Sequence, residues 1–193
     1  MQNLSNRGRY VWQKPEPHMA LALVTPTTHE EAVQKVWEVV TRSYFPDDES
    51  YRTRTKSASQ SNNTTPDIKI FKVTARHPDS HWRKPTEWEE RQILMIECKR
   101  PSRDTLLGWD DTIMGQFFDD LEATLNASGR LFGAVAIGTK IRFYRYDGQL
   151  IPADPNILVP LHLGILDIRE DADYPEIAHW MDYIKLYGYQ WAY

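Results

Sequence analysis

The sequence predicts one α/β (α+β) domain in which helices flank a mixed central β-sheet. With 193 residues the chain is long enough for one sizeable hydrophobic core. Its hydrophobic fraction of 41% is ordinary for a globular protein. Helical and strand periodicities alternate along the chain as helix, strands, helix, strands and helix, a pattern typical of a sheet covered by helices.

The first predicted helix follows a proline-containing arm. Residues 1–26 have no sustained periodicity and are predicted to form an extended N-terminal arm. Thr28 and Glu31 have the spacing of a capping box, which predicts a helix start. The helix is expected to end before Pro46. Its apolar residues recur at helical spacing and predict one buried stripe, formed by Val33, Val36, Trp37, Val40 and Tyr44.

The remaining elements complete a single domain over residues 27–193. Residues 47–65 are polar and small, which predicts a mobile loop. Hydrophobic patterning predicts strands over 68–75, 93–98, 131–137 and 141–146, a second helix over about 110–126, and a last helix from about 175 to 186. An aromatic tail follows this helix and reaches residue 193.

Cysteine usage and hydropathy predict an intracellular protein. Cys98 is the single cysteine, so the chain has no internal disulfide and gives no sign of an oxidising compartment. No secretory signal is recognisable, and the apolar stretches are too short to cross a bilayer. The expectation is a protein of the cytoplasm or nucleus that has no membrane partner.

Charge is distributed unevenly along the chain. The net charge is −4, but residues 50–103 contain twelve Lys and Arg against six Asp and Glu, a local balance of +6. Residues 167–182 are mostly acidic. A basic half beside an acidic half suits an enzyme that binds phosphates on one face, and it is equally compatible with an unevenly charged solvated surface.

The strand over residues 93–99 is the most informative element. Side chains alternate across a strand, so Glu97 and Lys99 are expected on one face and Cys98 on the other. The apolar residues before them indicate a central, buried strand. Burying an acid and a base is costly unless they pair with each other or hold a metal. The pair is therefore either a structural ion pair or part of a site.

A second acidic residue begins the strand over residues 68–75. If the two strands are neighbours, Asp67 and Glu97 can share a divalent cation, Mg²⁺ or Mn²⁺, with the backbone carbonyl of Cys98 as a third oxygen ligand. Lys99 would then lie beside the attacking water. Asp79 also follows a proline and is closer in sequence to Glu97, but the residues after it do not form a central strand easily.

Pro66-Asp67 together with Glu97-Cys98-Lys99 resembles the PD-(D/E)XK phosphodiesterases, which include restriction endonucleases, Holliday-junction resolvases and repair nucleases. The resemblance covers roughly residues 28–146. It implies an αβββαβ core, dependence on Mg²⁺ and hydrolysis of nucleic-acid phosphodiesters, in DNA or RNA. It further implies a metal-proximal acid on the first helix, for which Glu30 is the choice, and a polar residue on the second helix, Gln116.

Two functional hypotheses follow. In the first, the chain is a metal-dependent nuclease, and a homodimer would pair two active sites for double-strand cuts. Its substrate phosphates are expected to contact Lys69, Lys72, Arg100 and Arg103. In the second, the chain is a catalytically inactive binding or scaffold protein of the same fold, with the aromatic tail over residues 183–193 as an interaction surface.

Overall fold

The structure, a computed structural model, describes residues 15–56, 67–75 and 88–193. Its helices are α1 (Pro15–Ala22), α2 (Glu30–Tyr44), α3 (Leu106–Thr112), α4 (Phe118–Glu122) and α5 (Tyr174–Trp191). Its strands are β1 (Tyr51–Thr55), β2 (Ile68–Ala75), β3 (Trp88–Lys99), β4 (Arg130–Ile137), β5 (Lys140–Asp147), β6 (Leu158–Pro160) and β7 (Leu166–Asp167). From α2 to β4 the elements follow the order αβββαβ, when α3 and α4 are taken as one interrupted helix.

One mixed sheet organises the domain, and this confirms the predicted fold class. The strand order is β1-β2-β3-β4-β5-β6, and β7 pairs with β5. β3 and β4 are parallel, whereas the other neighbouring strands are antiparallel. Helices α1, α2 and α5 cover one face of the sheet, and α3 and α4 cover β3, β4 and β5 on the other. β3 is therefore buried on both faces, as a site-bearing central strand requires.

Helix α2 buries the predicted apolar stripe, but its start differs from the prediction. The stripe residues Val33, Val36, Trp37, Val40 and Tyr44 are all buried. The helix begins at Glu30 with His29 as the N-cap, and His29 makes no side-chain capping bond. The hydroxyl of Thr28 instead accepts a hydrogen bond from Thr25 N at 2.8 Å, which closes the preceding turn. The capping-box prediction is therefore wrong, whereas the predicted end before Pro46 is confirmed.

Part of the predicted extended arm is helical. Residues 15–22 form α1, and α1 packs against α2. Pro15 and Pro17 lie in its first turn, where backbone N–H groups have no intrahelical partner and proline costs little. Residues 1–14 lie outside the described ranges. The prediction of an extended arm is therefore wrong for residues 15–22.

The polar segment after α2 contains structure that its composition conceals. Residues 47–49 form a 3-10 turn and residues 51–55 form β1, which lies at the edge of the sheet and pairs with β2 alone among the described strands. Tyr51 is its one buried side chain. An edge strand needs few apolar residues, because one of its sides faces no other strand. The predicted loop is wrong for this part, and residues 57–65 lie outside the described ranges.

The second helix differs from its prediction at both ends and in the middle. It starts at Leu106, where the Thr105 hydroxyl accepts a hydrogen bond from Gly108 N at 3.0 Å, and it ends at Glu122. A π-helical turn over Ile113–Phe117 separates α3 from α4. The turn is kinked at Gly115, whose φ and ψ are −104° and −116°. Kinks of this kind reorient the side chains that follow them.

The predicted aromatic tail is the last part of a longer helix. α5 continues to Trp191 and lies on the sheet, with the ring centroids of Tyr183 and Trp191 at 5.9 and 6.3 Å from that of Phe132. At Gly188 the backbone comes so close to the sheet that a Cβ would lie 3.0 Å from Ile93 Cβ. Part of the tail therefore packs within the domain, whereas Leu186, Tyr187 and Tyr193 are exposed.

Helix length and hydropathy decide whether a helix can cross a membrane. Within residues 15–56, 67–75 and 88–193, no helix combines the length and the apolar character needed to cross a bilayer.

Candidate active site

Glu97 and Lys99 lie side by side at the end of β3. The Lys99 ammonium donates a hydrogen bond to Glu97 Oε1 at 2.6 Å. The Glu97 side chain is completely buried, with 0% of it exposed. Cys98 points to the opposite face, into the apolar cluster beneath α2 and α5. Strand alternation thus places a carboxylate and an ammonium together on one face.

Asp67 reaches the same corner from β2. β2 and β3 are antiparallel, with Ile68 opposite Ile96, so the start of β2 adjoins the end of β3. Asp67 Oδ2 accepts a hydrogen bond from the backbone N–H of Cys98 at 2.8 Å, and the residue is 4% exposed. Gln34 on α2 donates to the Asp67 carbonyl at 3.2 Å and fixes its backbone. Pro66 lies outside the described residues.

Two helix residues that the resemblance implied also reach Lys99. Gln116 Oε1 accepts a hydrogen bond from the Lys99 ammonium at 3.0 Å, and Glu30 Oε1 lies 3.7 Å from the same nitrogen. Gln116 belongs to the π-helical turn, a distortion that occurs frequently at functional sites. Lys99 is therefore held between β3, α2 and the π-helical turn.

An acidic cluster with one ammonium group is formed by Glu30, Asp67, Glu97 and Lys99. Asp120 is a further acidic residue of this cluster that the sequence analysis did not identify. It lies on α4 and is 6% exposed. Its Oδ2 is buried and has no hydrogen-bond partner among the described residues. The Gln116 amide, one helical turn earlier in the sequence, lies near enough to lower the pKa of Asp120. The spacing of four residues from Gln116 is the signal by which it could have been found, because such residues share a helix face.

The electrostatics of the cluster favour a cation. Burial, and then repulsion by Asp67, raises the pKa of Glu97 to about 8, although Lys99 opposes the shift. Burial likewise raises the pKa of Asp120 to about 6, against the attraction of Lys69 and Lys56. The pKa of Asp67 is also raised, mainly by burial. Because burial is the largest cause of all three shifts, these carboxyl groups lack the solvation that a bound cation would replace.

The raised pKa of Glu97 predicts that the metal-free protein loses stability as the pH rises. The ordinary pKa of 4.5 describes the unfolded chain, and the value of about 8 describes the folded state. Between these values the folded state binds more protons, so the contribution to the free energy of unfolding is fully present below about 4.5 and is lost as the pH rises through about 8.

The measurement is a series of thermal melts in EDTA, with wild type, Glu97→Gln and the exposed control Glu122→Gln. We expect the Tm of Glu97→Gln relative to wild type to increase as the pH rises across this interval, whereas Glu122→Gln follows wild type. A constant Tm difference between Glu97→Gln and wild type would contradict the assignment of this titration to Glu97.

A cleft of about 710 Å³ opens over Lys99. It is lined by His29, Glu30, Glu31, Lys99, Arg100, Arg103 and Gln116. Arg100 and Arg103 are exposed, and an Arg103 guanidinium nitrogen lies 3.9 Å from Asp111 Oδ2. The two arginines thus add positive charge to the cleft that Lys99 lines.

The other two predicted phosphate contacts lie elsewhere. Lys69 is half-buried and attracts the Asp120 carboxylate, so it belongs to the interior of the cluster. Lys72 donates to the Glu49 carbonyl at 2.7 Å, and its ammonium lies 4.0 Å from the centre of the Tyr51 ring. The structure does not bring Lys72 to the cleft. Residues three apart in a strand point to opposite faces, which separates Lys72 from Lys69.

The residues present fit a divalent cation that keeps part of its water shell. Glu97 Oε2 is buried and lacks a hydrogen-bond partner in the described ranges, although Oε1 is paired. A buried carboxylate oxygen without a partner is costly, and a cation would satisfy it. In the described parts of the chain, no three His, Cys, Asp or Glu side chains are gathered closely enough to hold a metal by themselves. Mg²⁺ needs only one or two carboxylates, because water completes its coordination.

Comparison with known proteins gives no independent assignment. No protein-family model, curated protein or solved structure matches the chain.

Proposed function

We propose that the chain is a Mg²⁺-dependent phosphodiesterase that hydrolyses nucleic acid, in the manner of the PD-(D/E)XK nucleases it resembles. One observation carries the proposal. Two buried carboxylates from adjacent strands, Asp67 and Glu97, lie near enough to the Lys99 ammonium to interact with it and to repel each other, and Glu97 Oε2 has no partner among the described residues. An intracellular location, in the cytoplasm or nucleus, belongs to the same proposal.

Each residue of the cluster has a distinct task. Asp67, Glu97 and the Cys98 carbonyl hold the cation, and Mn²⁺ can replace Mg²⁺. When bound, the cation polarises the scissile phosphate and lowers the pKa of a neighbouring water. Lys99 stabilises the negative charge that develops on the phosphoryl oxygens during attack. Gln116 accepts from Lys99 and orients its ammonium.

Exposed basic residues on the same face of the sheet support a polyanionic substrate. In the antiparallel pair β1–β2, Arg54 lies opposite Lys69 and Arg52 opposite Phe71, so both arginines point to the face that carries Asp67. Their side chains are 61% (Arg52) and 55% (Arg54) exposed. Both pair with Glu90, which keeps the guanidinium groups in place. Such contacts position a nucleic-acid backbone without reading its sequence.

One observation favours the alternative of an inactive binding or scaffold protein. The Lys99–Glu97 ion pair is already formed at 2.6 Å and neutralises part of the acidic charge. A purely structural pair needs no cation. The two functions therefore differ in whether Mg²⁺ binds and in whether a phosphodiester is cleaved.

The deciding experiment measures both quantities on the purified chain. Plasmid, single-stranded DNA and RNA are incubated with Mg²⁺, with Mn²⁺ or with EDTA, and thermal melts are recorded under the same conditions. We expect cleavage only with a metal, and linear plasmid as a product if two copies pair. At Mg²⁺ tenfold above its Kd we expect about 1.4 kcal/mol of stabilisation, or a Tm rise of roughly 3–6 °C.

Three outcomes are informative. Metal-dependent cleavage with the Tm rise supports the nuclease. A Tm rise without cleavage of any of the three substrates removes the enzymatic proposal and leaves a metal-binding protein. If neither cleavage nor a Tm rise is observed, the proposed metal site is removed as well, and the scaffold function is favoured.

A further inference from the structure

Asp120, which lies behind Gln116, extends the acidic cluster towards α4. We propose that Asp120 is a third acidic residue of the cation site and contacts the cation through one of its water ligands. This inference rests on the proposed function, because it concerns the same site. It adds a residue outside the Asp67, Glu97 and Lys99 motif.

Burial without a partner is the first observation that supports it. Asp120 is 6% exposed and Glu97 is 0% exposed, and each has one buried carboxylate oxygen without a hydrogen-bond partner in the part of the chain described. An unsatisfied buried carboxylate is among the costlier features of a folded protein. Two such oxygens in one cluster indicate that a further positively charged or hydrogen-bonding species completes it.

Connectivity is the second observation. Gln116 joins the two halves of the cluster, because it accepts a hydrogen bond from Lys99 and its amide lies near enough to Asp120 to lower the pKa of that carboxyl. The π-helical turn before α4 places Gln116 at the Lys99 ammonium, and Asp120 follows on the same helix face. Gln116 thereby connects Asp120 with Lys99, the residue proposed to act on the phosphate.

The balance of charge is the third observation. The acids that act on one another here are Glu30, Asp67, Glu97 and Asp120, and the facing cations are Lys56, Lys69 and Lys99. Asp67 repels both Glu97 and Asp120, and Asp120 in turn repels Glu97. These acids repel one another in a poorly solvated place, and a divalent cation would offset that repulsion.

Contact through water follows from the spacing of the acids. No three acidic, His or Cys side chains of the described residues are close enough to ligate one ion directly. Mg²⁺ retains several waters in most protein sites, and carboxylates beyond the direct ligands hold those waters by hydrogen bonds. Asp120 fits this outer position, since it lies beside Gln116 and its Oδ2 is buried without a partner among the described residues.

The test compares Asp120→Asn with Asp119→Asn, an exposed acid one residue earlier on the same short helix. Isothermal titration with Mg²⁺ and Mn²⁺ gives the Kd of the full chain and of each variant. We expect Asp120→Asn to weaken binding about 10–100-fold and Asp119→Asn to bind as wild type does. The metal-free Tm of Asp120→Asn should equal or exceed that of wild type, because a buried unpaired carboxylate has been removed.

The outcomes separate this inference from the function beneath it. If wild type binds Mg²⁺ and Asp120→Asn binds it within about twofold of Asp119→Asn, Asp120 has no role at the cation and the inference fails alone. If wild type binds neither metal, the inference and the metal-dependent function fail together. Asp120→Ala provides a second variant with the same expected loss, should the asparagine destabilise the fold.

Discussion

Alanine in place of Lys99 is expected to lower the rate of phosphodiester cleavage by about 10²–10³-fold, the usual cost of removing one group that stabilises transition-state charge. The Lys99 ammonium is held by Glu97 at 2.6 Å and by Gln116 at 3.0 Å, so it has a fixed position at the base of the cleft. Alanine removes that charge and the hydrogen bond to Glu97, but it keeps both proposed carboxylate ligands.

The binding of the cation should survive this substitution. Lys99 is a cation beside the proposed metal position. Its removal breaks the ion pair with Glu97 but also relieves the repulsion between the ammonium group and the metal ion. We therefore expect the Mg²⁺-dependent rise in Tm to persist in Lys99→Ala while the cleavage rate falls. A variant that loses both would show that Lys99 holds the site together rather than acting on the phosphate.

Lys140→Ala is the matched control for this measurement. Its ammonium lies 2.6 Å from Asp104 Oδ2, so the substitution also removes a short ion pair made by a strand residue. Lys140 does not line the cleft. Equal losses of cleavage in the two alanine variants would contradict a specific role for Lys99.

The centre of the sheet was predictable because local pattern and tertiary environment agree there. The predicted bounds of β2, residues 68–75, are those observed. The apolar run before Glu97 indicated a strand buried on both faces, and residues 92–98 are indeed buried. The β4–β5 hairpin turns at Gly138, whose φ of 61° suits glycine. In each case the residues that form the strand also form the core.

The periphery was less predictable because distant contacts decide its structure. β1 contains two exposed arginines and a single buried residue, Tyr51, so its strand character depends on pairing with β2. The residues after Leu186 were predicted as a tail because the sequence does not show the sheet on which this part of the helix packs. The same limit applies to α1, where packing on α2 favours a helix in a segment with two prolines.

The acidic cluster shows both what alternation reveals and what it conceals. Alternation placed Glu97 beside Lys99 and could also have separated Lys72 from Lys69. Asp120 was hidden because Asp119 and Asp120 both read as polar residues of an exposed helix. Only the packing of α4 on the sheet distinguishes the buried acid from the exposed one.

Truncation of Trp37 to alanine is expected to be among the most destabilising substitutions in the chain. The side chain is 0% exposed, and its indole N–H donates to the Gly138 carbonyl at 3.1 Å. Removal of such a ring costs about 3–5 kcal/mol, which for a domain of this size lowers the Tm by roughly 6–20 °C. Chemical denaturation with and without the substitution measures the loss.

Trp37→Phe separates the loss of the hydrogen bond from the loss of ring volume, and Lys35→Ala is the control on the same helix. Phenylalanine keeps most of the ring volume but leaves the buried Gly138 carbonyl without its donor, so we expect a loss of about 1–3 kcal/mol. Lys35 lies on the same helix with 60% of its side chain exposed, and its alanine variant should stay within about 0.5 kcal/mol of wild type. A loss below about 1 kcal/mol for Trp37→Ala would contradict the packing role.

The effect should reach the acidic cluster because α2 supplies part of it. Glu30 lies near Lys99, and Gln34 holds the Asp67 carbonyl at 3.2 Å, while Trp37 anchors the same helix one turn later to the β4–β5 turn. A helix released from that anchor positions Glu30 and Gln34 less firmly. We therefore expect Trp37→Phe, while still folded, to bind Mg²⁺ more weakly than Lys35→Ala does. That result would show that the hydrogen bond to Gly138 helps to position the residues of the cation site.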